Sequence, residues 1–169
     1  MGQETLESRE EGIKKIGEFI NEIDFTMMTT IDEDGELHSR PMSTQKTEFD
    51  GNVYFFAFDN TDKAKHINNN PNVNLAYSAP DKNTYVSLKG TAQILKDRQK
   101  MEELWNPGLT AWFPQGLETP HIALIKVTVK TAEYWDSPTG AIAYVVALVK
   151  AAATGKSQDM GENETVNLN

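Results

Sequence analysis

Ile13, Ile16, Ile20 and Ile23 recur at helical spacing with Phe19 beside them, while Glu10, Glu11, Lys14, Lys15, Glu18 and Glu22 fill the other positions. That stripe predicts an amphipathic helix within residues 1–24 whose apolar face packs on the rest of the chain. Ser8 and Glu11 have the spacing of a capping box and place the helix start there. From Phe25 the period falls to two. FTMMTTID and GELHSRPMST, joined by Asp32-Glu33-Asp34-Gly35, read as a hairpin with a glycine turn. A second turn at Phe49–Asn52 leads into VYFFAFD, whose aromatics favour a strand. TDKAKHINNN reads as a short helix stopped by Pro71. NVNLAYSA and NTYVSLKGTAQIL are two further strands around Pro80–Asn83, and residues 97–105 read as a helix. A Pro/Gly-rich loop over 106–120 precedes HIALIKVTVKTAEYW, a long strand pattern. The apolar AIAYVVALVKAAA fits a helix, or a strand turning into one. Residues 154–169 read as a disordered acidic tail.

At least six short strands, mostly hairpin-connected, predict a mainly β fold: an antiparallel barrel with helical decoration. The organisation is a helix over 1–24 packed on a barrel domain over 25–153, followed by the tail over 154–169. No βαβ alternation, dinucleotide fingerprint or phosphate-binding P-loop is present.

Composition narrows the chemistry. The 169 residues fit one domain, and the absence of cysteine excludes disulfides, thiolate metal sites and a cysteine nucleophile. Any redox chemistry would therefore come from a bound cofactor. The net charge of -9 disfavours nucleic acid. That charge is uneven, because residues 1–24 and 157–169 carry most of the excess acid while the body between them is close to neutral. A small basic pocket fits such a body. No apolar run approaches the ~20 residues of a membrane helix, and MGQETLESREEG lacks the apolar stretch of a signal peptide, so no membrane association and a cytoplasmic location are expected.

Three histidines, His38, His66 and His121, fall on three different elements without metal-ligand spacing, so no metal site is expected. The more informative run is Ser39-Arg40-Pro41-Met42 inside a strand. A half-buried arginine needs an anion, and a proline removes a ladder donor, which places the strand at an edge or makes it irregular. Asn60-Thr61-Asp62-Lys63 stands where a strand hands over to a helix. Free backbone N–H groups, a hydroxyl and a lysine at a helix start suit a phosphate. From residue types alone the alternatives are ordinary: an ion pair for Arg40 and a plain N-cap for Thr61.

From Asp24 to Trp135, the pieces MTTIDEDGELHSRPM, VYFFAFDNTDKAKHI, NNPNVNLAYSAP, YVSLKGTAQIL, WFPQGLETPHIALIKV and AEYWDSP resemble the flavin-binding split-barrel proteins related to pyridoxamine 5'-phosphate oxidase. Within them the sequence is similar to the bacterial general stress protein branch, of which the WFP and AEYWDSP pieces are the more specific marks. The resemblance implies a six-stranded antiparallel split β-barrel and a homodimer with an FMN site at each subunit interface, with FAD or a deazaflavin as alternative cofactors. It implies that Arg40 and Lys63 grip the cofactor phosphate, with Thr61 hydrogen-bonding it. The backbone of Pro41, Met42 and Ser43 would line the ring edge. Phe56 and Ala57 match a pair that carries hydroxyls in the oxidases. Tyr85 and Trp135 match flavin contacts that come from the partner subunit. One departure is Asp62, an acid where the oxidases place an arginine before the lysine; beside a phosphate it weakens binding unless Arg40 and the helix start outweigh it.

The implied function is a flavin-binding stress protein, either a low-specificity flavin-dependent oxidoreductase or a binding and sequestering module without turnover. A haem role, known for some split barrels, is disfavoured because scattered histidines and no cysteine supply an axial ligand poorly. The oxidases follow their tryptophan with an arginine and a histidine that contact the pyridoxal substrate; Ala141 and Ala143 stand there instead. The purified holoprotein is therefore expected to show no steady turnover of pyridoxamine phosphate in an oxygen-consumption assay.

Overall fold

The computed structural model describes residues 6–137 and 162–168. Helix α1 (Leu6–Glu22) is followed by strands β1 (Phe25–Ile31), β2 (Leu37–Ser43) and β3 (Asn52–Phe58), helix α2 (Asp62–Asn69), β4 (Asn72–Ala79), β5 (Thr84–Leu95), helix α3 (Arg98–Leu104), β6 (Ile122–Asp136) and β7 (Glu162–Asn167). The strands form one antiparallel sheet in the order β2-β1-β4-β5-β6-β3, with β7 also paired to β6. On β1 the alternation read from sequence is explicit: Thr26, Met28 and Thr30 are buried, whereas Phe25 and Met27 face outward. Among the described residues no helix is long and apolar enough to cross a membrane.

The sheet curls because its two longest strands bend together. The β5–β6 register shifts between Lys89 and Gly90, where a Cβ on residue 90 would stand 2.2 Å from the Thr128 carbonyl oxygen. Only glycine lets the two backbones come that close. Beyond this bulge the second edge of β6 is shared, with β3 taking Ile122–Thr128 and β7 taking Thr131–Asp136. At the other end of the sheet, the segment after β2 reaches β3, and the Gln45 N–H donates to the Tyr54 carbonyl at 3.0 Å. The fold is thus mainly β, a curled antiparallel half-barrel.

Two apolar cores flank β3, which is why its central residues are buried in succession rather than alternately. The barrel interior gathers Met28, Phe55, Leu75, Leu88 and Ile125, and α1 adds Ile16 and Ile20. The outer cluster packs Tyr54, Phe56, Met101, Leu109 and Phe113 beneath α3 and the 3₁₀ turn Pro107–Ala111.

Two expectations change. Helix α1 begins at Leu6, so Ser8 lies within it rather than at its cap. The tail read as disordered over 154–169 contains β7, because Val166 gives its polar neighbours one buried anchor and β6 supplies the hydrogen-bonding edge. Val166 packs so closely on α1 that a Cβ at Gly12 would lie 2.7 Å from it. Arg9 Nη2 also donates to the Leu168 carbonyl at 2.6 Å, and the Tyr134 hydroxyl donates to Glu164 Oε2 at 2.7 Å. Burial, with the Glu164 carboxylate second, pushes the Tyr134 phenol up to about 12. The AIAYVVALVKAAA segment lies outside the described residues.

Gly90→Ala is expected to lower the unfolding free energy by ~1–3 kcal/mol through overpacking at the bulge, read as a lower midpoint in denaturant titration. An unchanged midpoint would show that β5 and β6 have room at this position.

Candidate functional site

Strand parity explains how β2 carries Arg40 and Pro41 side by side. The Thr44 N–H donates to the Asp24 carbonyl, so, with the register Thr26↔Met42 and Met28↔Arg40, the even-numbered residues of β2 are the ones bonded to β1. Pro41 has the opposite parity, and its missing N–H faces the free edge of an edge strand where no ladder bond is lost. The same parity turns Arg40 and Met42 inward, toward the start of α2.

There Arg40 Nη1 donates to Thr30 Oγ1 at 2.6 Å. The same Thr30 hydroxyl is hydrogen-bonded to His66 Nδ1 at 3.1 Å, so Arg40, Thr30 and His66 form one chain. Thr61 is the N-cap of α2: its Oγ1 accepts the Ala64 N–H and donates to the Phe58 carbonyl at 3.1 Å. Lys63, two residues on, extends back across the cleft to the Met42 thioether at 3.2 Å. Among the described residues neither Arg40 nor Lys63 forms an ion pair. Burial lowers the Lys63 ammonium below its usual 10.5 and the nearby Arg40 charge lowers it further; burial acts on Arg40 in the same direction. Two adjacent, partly desolvated cations without a carboxylate form a site that favours an anion.

Pro41, Met42, Ser43, Phe56, Ala57, Thr61 and Lys63 all line one cleft of about 250 Å³; Arg40 is not in its lining, but its charge is felt by Lys63. Phe56 and Ala57 are buried and contribute apolar wall. Main chain contributes as well: Tyr54 and Phe58 turn their carbonyls to the free edge, toward Gln45 and Thr61, so Phe56 between them presents its own N–H and carbonyl there. Asp62 points away, with 85% of its side chain exposed and Lys65 3.2 Å from it. The departure seen in sequence is thus turned toward solvent.

Tyr85 and Trp135 do not line this cleft in the same chain. They are direct cross-strand partners on β5 and β6, exposed on the open face of the sheet. That face also carries Phe25 and Met27 of β1, and Phe25 reaches the cleft. Ala141 and Ala143 lie outside the described residues.

The histidines are placed by turns and helices. His38 Nε2 meets Asp32 Oδ2 at 2.8 Å, while Asp32 Oδ1 accepts the N–H groups of Asp34 and Glu36. Those backbone bonds, with His38, hold the Asp32 carboxyl below its ordinary value. Asp32, Glu36 and His38 could reach a common ion, but these bonds already account for the cluster as the brace of the β1–β2 turn. His121 pairs with Asp59 at 2.9 Å.

Sequence reasoning missed Thr30 and His66, which join the site only through strand register, and Gln45, Leu109, Trp112 and Phe113, which complete the cleft wall. The WFP run at 112–114 was the signal available for the last two.

The profile of the family described as pyridoxamine 5'-phosphate oxidase like matches residues 11–159. The chain belongs to the pyridoxamine 5'-phosphate oxidase-like family. Among relatives of this oxidase-like chain, protein bli-3 of Neurospora crassa is 29% identical over 154 residues, 85% of this chain and 74% of that protein. A structure from Jannaschia sp., described as a candidate general stress protein 26, superposes with a TM-score of 0.75 at 26% identity, covering 94% of this chain and 99% of that one. The general stress FMN/FAD binding protein of Xanthomonas citri gives a TM-score of 0.66 at 26% identity, over 78% of this chain and 92% of that one. The half-barrel described above is the split barrel of these oxidase-like relatives.

The lowered Lys63 pKa fixes a sign. In the window between its folded value and 10.5 the unfolded chain binds the extra proton, so ligand-free stability gains with rising pH there. A bound phosphate needs the protonated amine and reverses that preference. Inorganic phosphate is expected to raise the melting temperature at neutral pH, to lose this effect as pH climbs toward 10.5, and to have little effect on Arg40→Ala.

Proposed function

We propose that this chain is a flavin-binding protein of the general stress type, which holds FMN in the cleft with its phosphate on Arg40 and Lys63. One observation carries the reading: two adjacent, part-buried cations lack a carboxylate partner within the described residues. Thr61 and the start of α2 add donors beside them. The backbone of Pro41, Met42 and Ser43, with the free N–H and carbonyl of Phe56, suits the polar rim of a planar ring. Phe56 and Ala57 suit its face. Membership in the oxidase-like family and the likeness to a general stress FMN/FAD binding protein support the same reading. FAD is a second candidate, because the cleft is open toward the exposed sheet face.

The proposal includes a homodimer. Tyr85 and Trp135 sit on an outward face that a second copy would cover, and a two-fold contact there would bring them to the partner's cleft. When bound, the flavin would supply the redox chemistry and the chain would supply position and electrostatics. Among the described residues no carboxylate or histidine lines the cleft, which favours a second reading: binding or sequestering the cofactor without turnover. Bleaching and reoxidation of bound flavin after addition of a reduced nicotinamide separates the two.

FMN titrated into flavin-free protein is expected to quench flavin fluorescence saturably. Each cation lost should weaken binding ~10- to 100-fold, the range for charge-assisted hydrogen bonds, so the Arg40→Ala, Lys63→Ala double variant should bind no better than wild type binds riboflavin. Equal affinity of wild type for FMN and riboflavin would overturn the phosphate assignment. Size exclusion should give twice the 18.9 kDa chain mass.

A further inference from the structure

Beside the cleft lies a second hollow of about 720 Å³. The two share a wall, since Phe25, Ser43, Gln45, Leu109 and Trp112 line both. They are two lobes of one trough, and Trp112 stands on the partition. The residue is 57% exposed, yet its backbone is fixed, with the N–H donating to the Leu109 carbonyl at 3.0 Å. Leu109 and Phe113, on either side of it, are buried anchors. A solvent-facing indole on a firmly held backbone at a cleft wall offers apolar area that a flat ligand would cover.

What that ligand carries follows from what the polar groups of the second lobe have left to give. Its charged side chains are already matched: Asp24 pairs with Lys46 at 2.8 Å, and Glu103 with Lys100 at 3.1 Å. Its amides satisfy each other. Asn106 Nδ2 donates to Gln45 Oε1 at 3.1 Å, Gln45 Nε2 donates to the Ser43 carbonyl at 3.3 Å, and Asn106 Oδ1 accepts the Gly108 N–H. Among the described residues the indole N–H groups of Trp105 and Trp112 have no acceptor, and an indole can only donate. The lobe therefore offers aromatic and aliphatic faces and spare donors, with no unmatched charge.

We infer that this second lobe receives a planar, uncharged aromatic compound with carbonyl oxygens on its rim, of the quinone class, stacked on Trp112. That it sits next to a flavin rests on the reading of the first lobe; the chemistry of the second lobe does not.

The test uses 1,4-naphthoquinone as probe on the flavin-free full-length protein, so that its outcome is independent of the FMN titration. Saturable quenching of tryptophan fluorescence is expected. Trp112→Leu should weaken the fitted affinity at least ~10-fold, Trp112→Phe should recover it to within ~3-fold, and Thr47→Phe, which narrows the lobe at a half-buried lining residue outside both apolar cores, should weaken it. In the Arg40→Ala, Lys63→Ala variant, which lacks the cations of the first lobe, the sulfonated naphthoquinone should bind at least ~10-fold more weakly than the neutral one. Linear, unsaturable quenching, the same affinity in Trp112→Leu and wild type, or preference of the double variant for the sulfonate would overturn the assignment. Thr47→Phe keeps the test decisive if Trp112→Leu fails to fold.

Discussion

A single backbone hydrogen bond, from the Gln45 N–H to the Tyr54 carbonyl, marks where the two edges of the curled sheet still touch. On one side of it lies the main core, with aliphatic side chains packed around Phe55, Tyr77 and Tyr134. On the other side the end of β2 and the second half of β3 part, leaving unpaired main-chain groups and a gap between two cores. The bulge at Gly90 interrupts the register of the two long strands, and one backbone rung joins the two edges. The cleft and its neighbouring lobe both open from this interrupted seam.

Electrostatics follows the same geography. The excess of acid lies at the ends of the chain, and in the structure some of it is consumed in fastening: Glu164 holds the Tyr134 hydroxyl, and Glu22 pairs with Lys82 at 2.5 Å. Around the start of α2 the balance reverses. Lys63 and Arg40 lie near each other with a thioether and a hydroxyl for company, a costly arrangement for an empty site and a favourable one for an anion. A whole-chain charge averages these regions and describes neither.

Much of this was legible beforehand because it is written in local rules. Period-two alternation and turn signals marked most of the strands, the aromatic run marked β3, Pro71 marked the end of α2, and Pro41 marked β2 as an edge or irregular strand. Arg40 and Lys63 stood out because their types need partners that their elements do not supply. What stayed hidden depends on contacts between distant segments. β7 is polar except for Val166, so only its pairing with β6 and its packing on α1 make it a strand. The Arg40–Thr30–His66 chain requires strand register, and the second lobe requires Asn106 to meet Gln45 across the fold. Ser8 failed for the opposite reason: a local capping signal lost to a helix that begins earlier.

The parity of the free edges has one more implication. Along the seam, main-chain polar groups face the gap from both sides: Pro41 and Ser43 on one strand, Phe56 on the other. Main-chain donors and acceptors persist whatever side chains are attached, so residues at 42, 56 and 57 can change identity while the rim they build stays readable. A scaffold of this kind can drift far in sequence and keep the same polar edge along the gap, while the side chains that overhang the gap change what surrounds it.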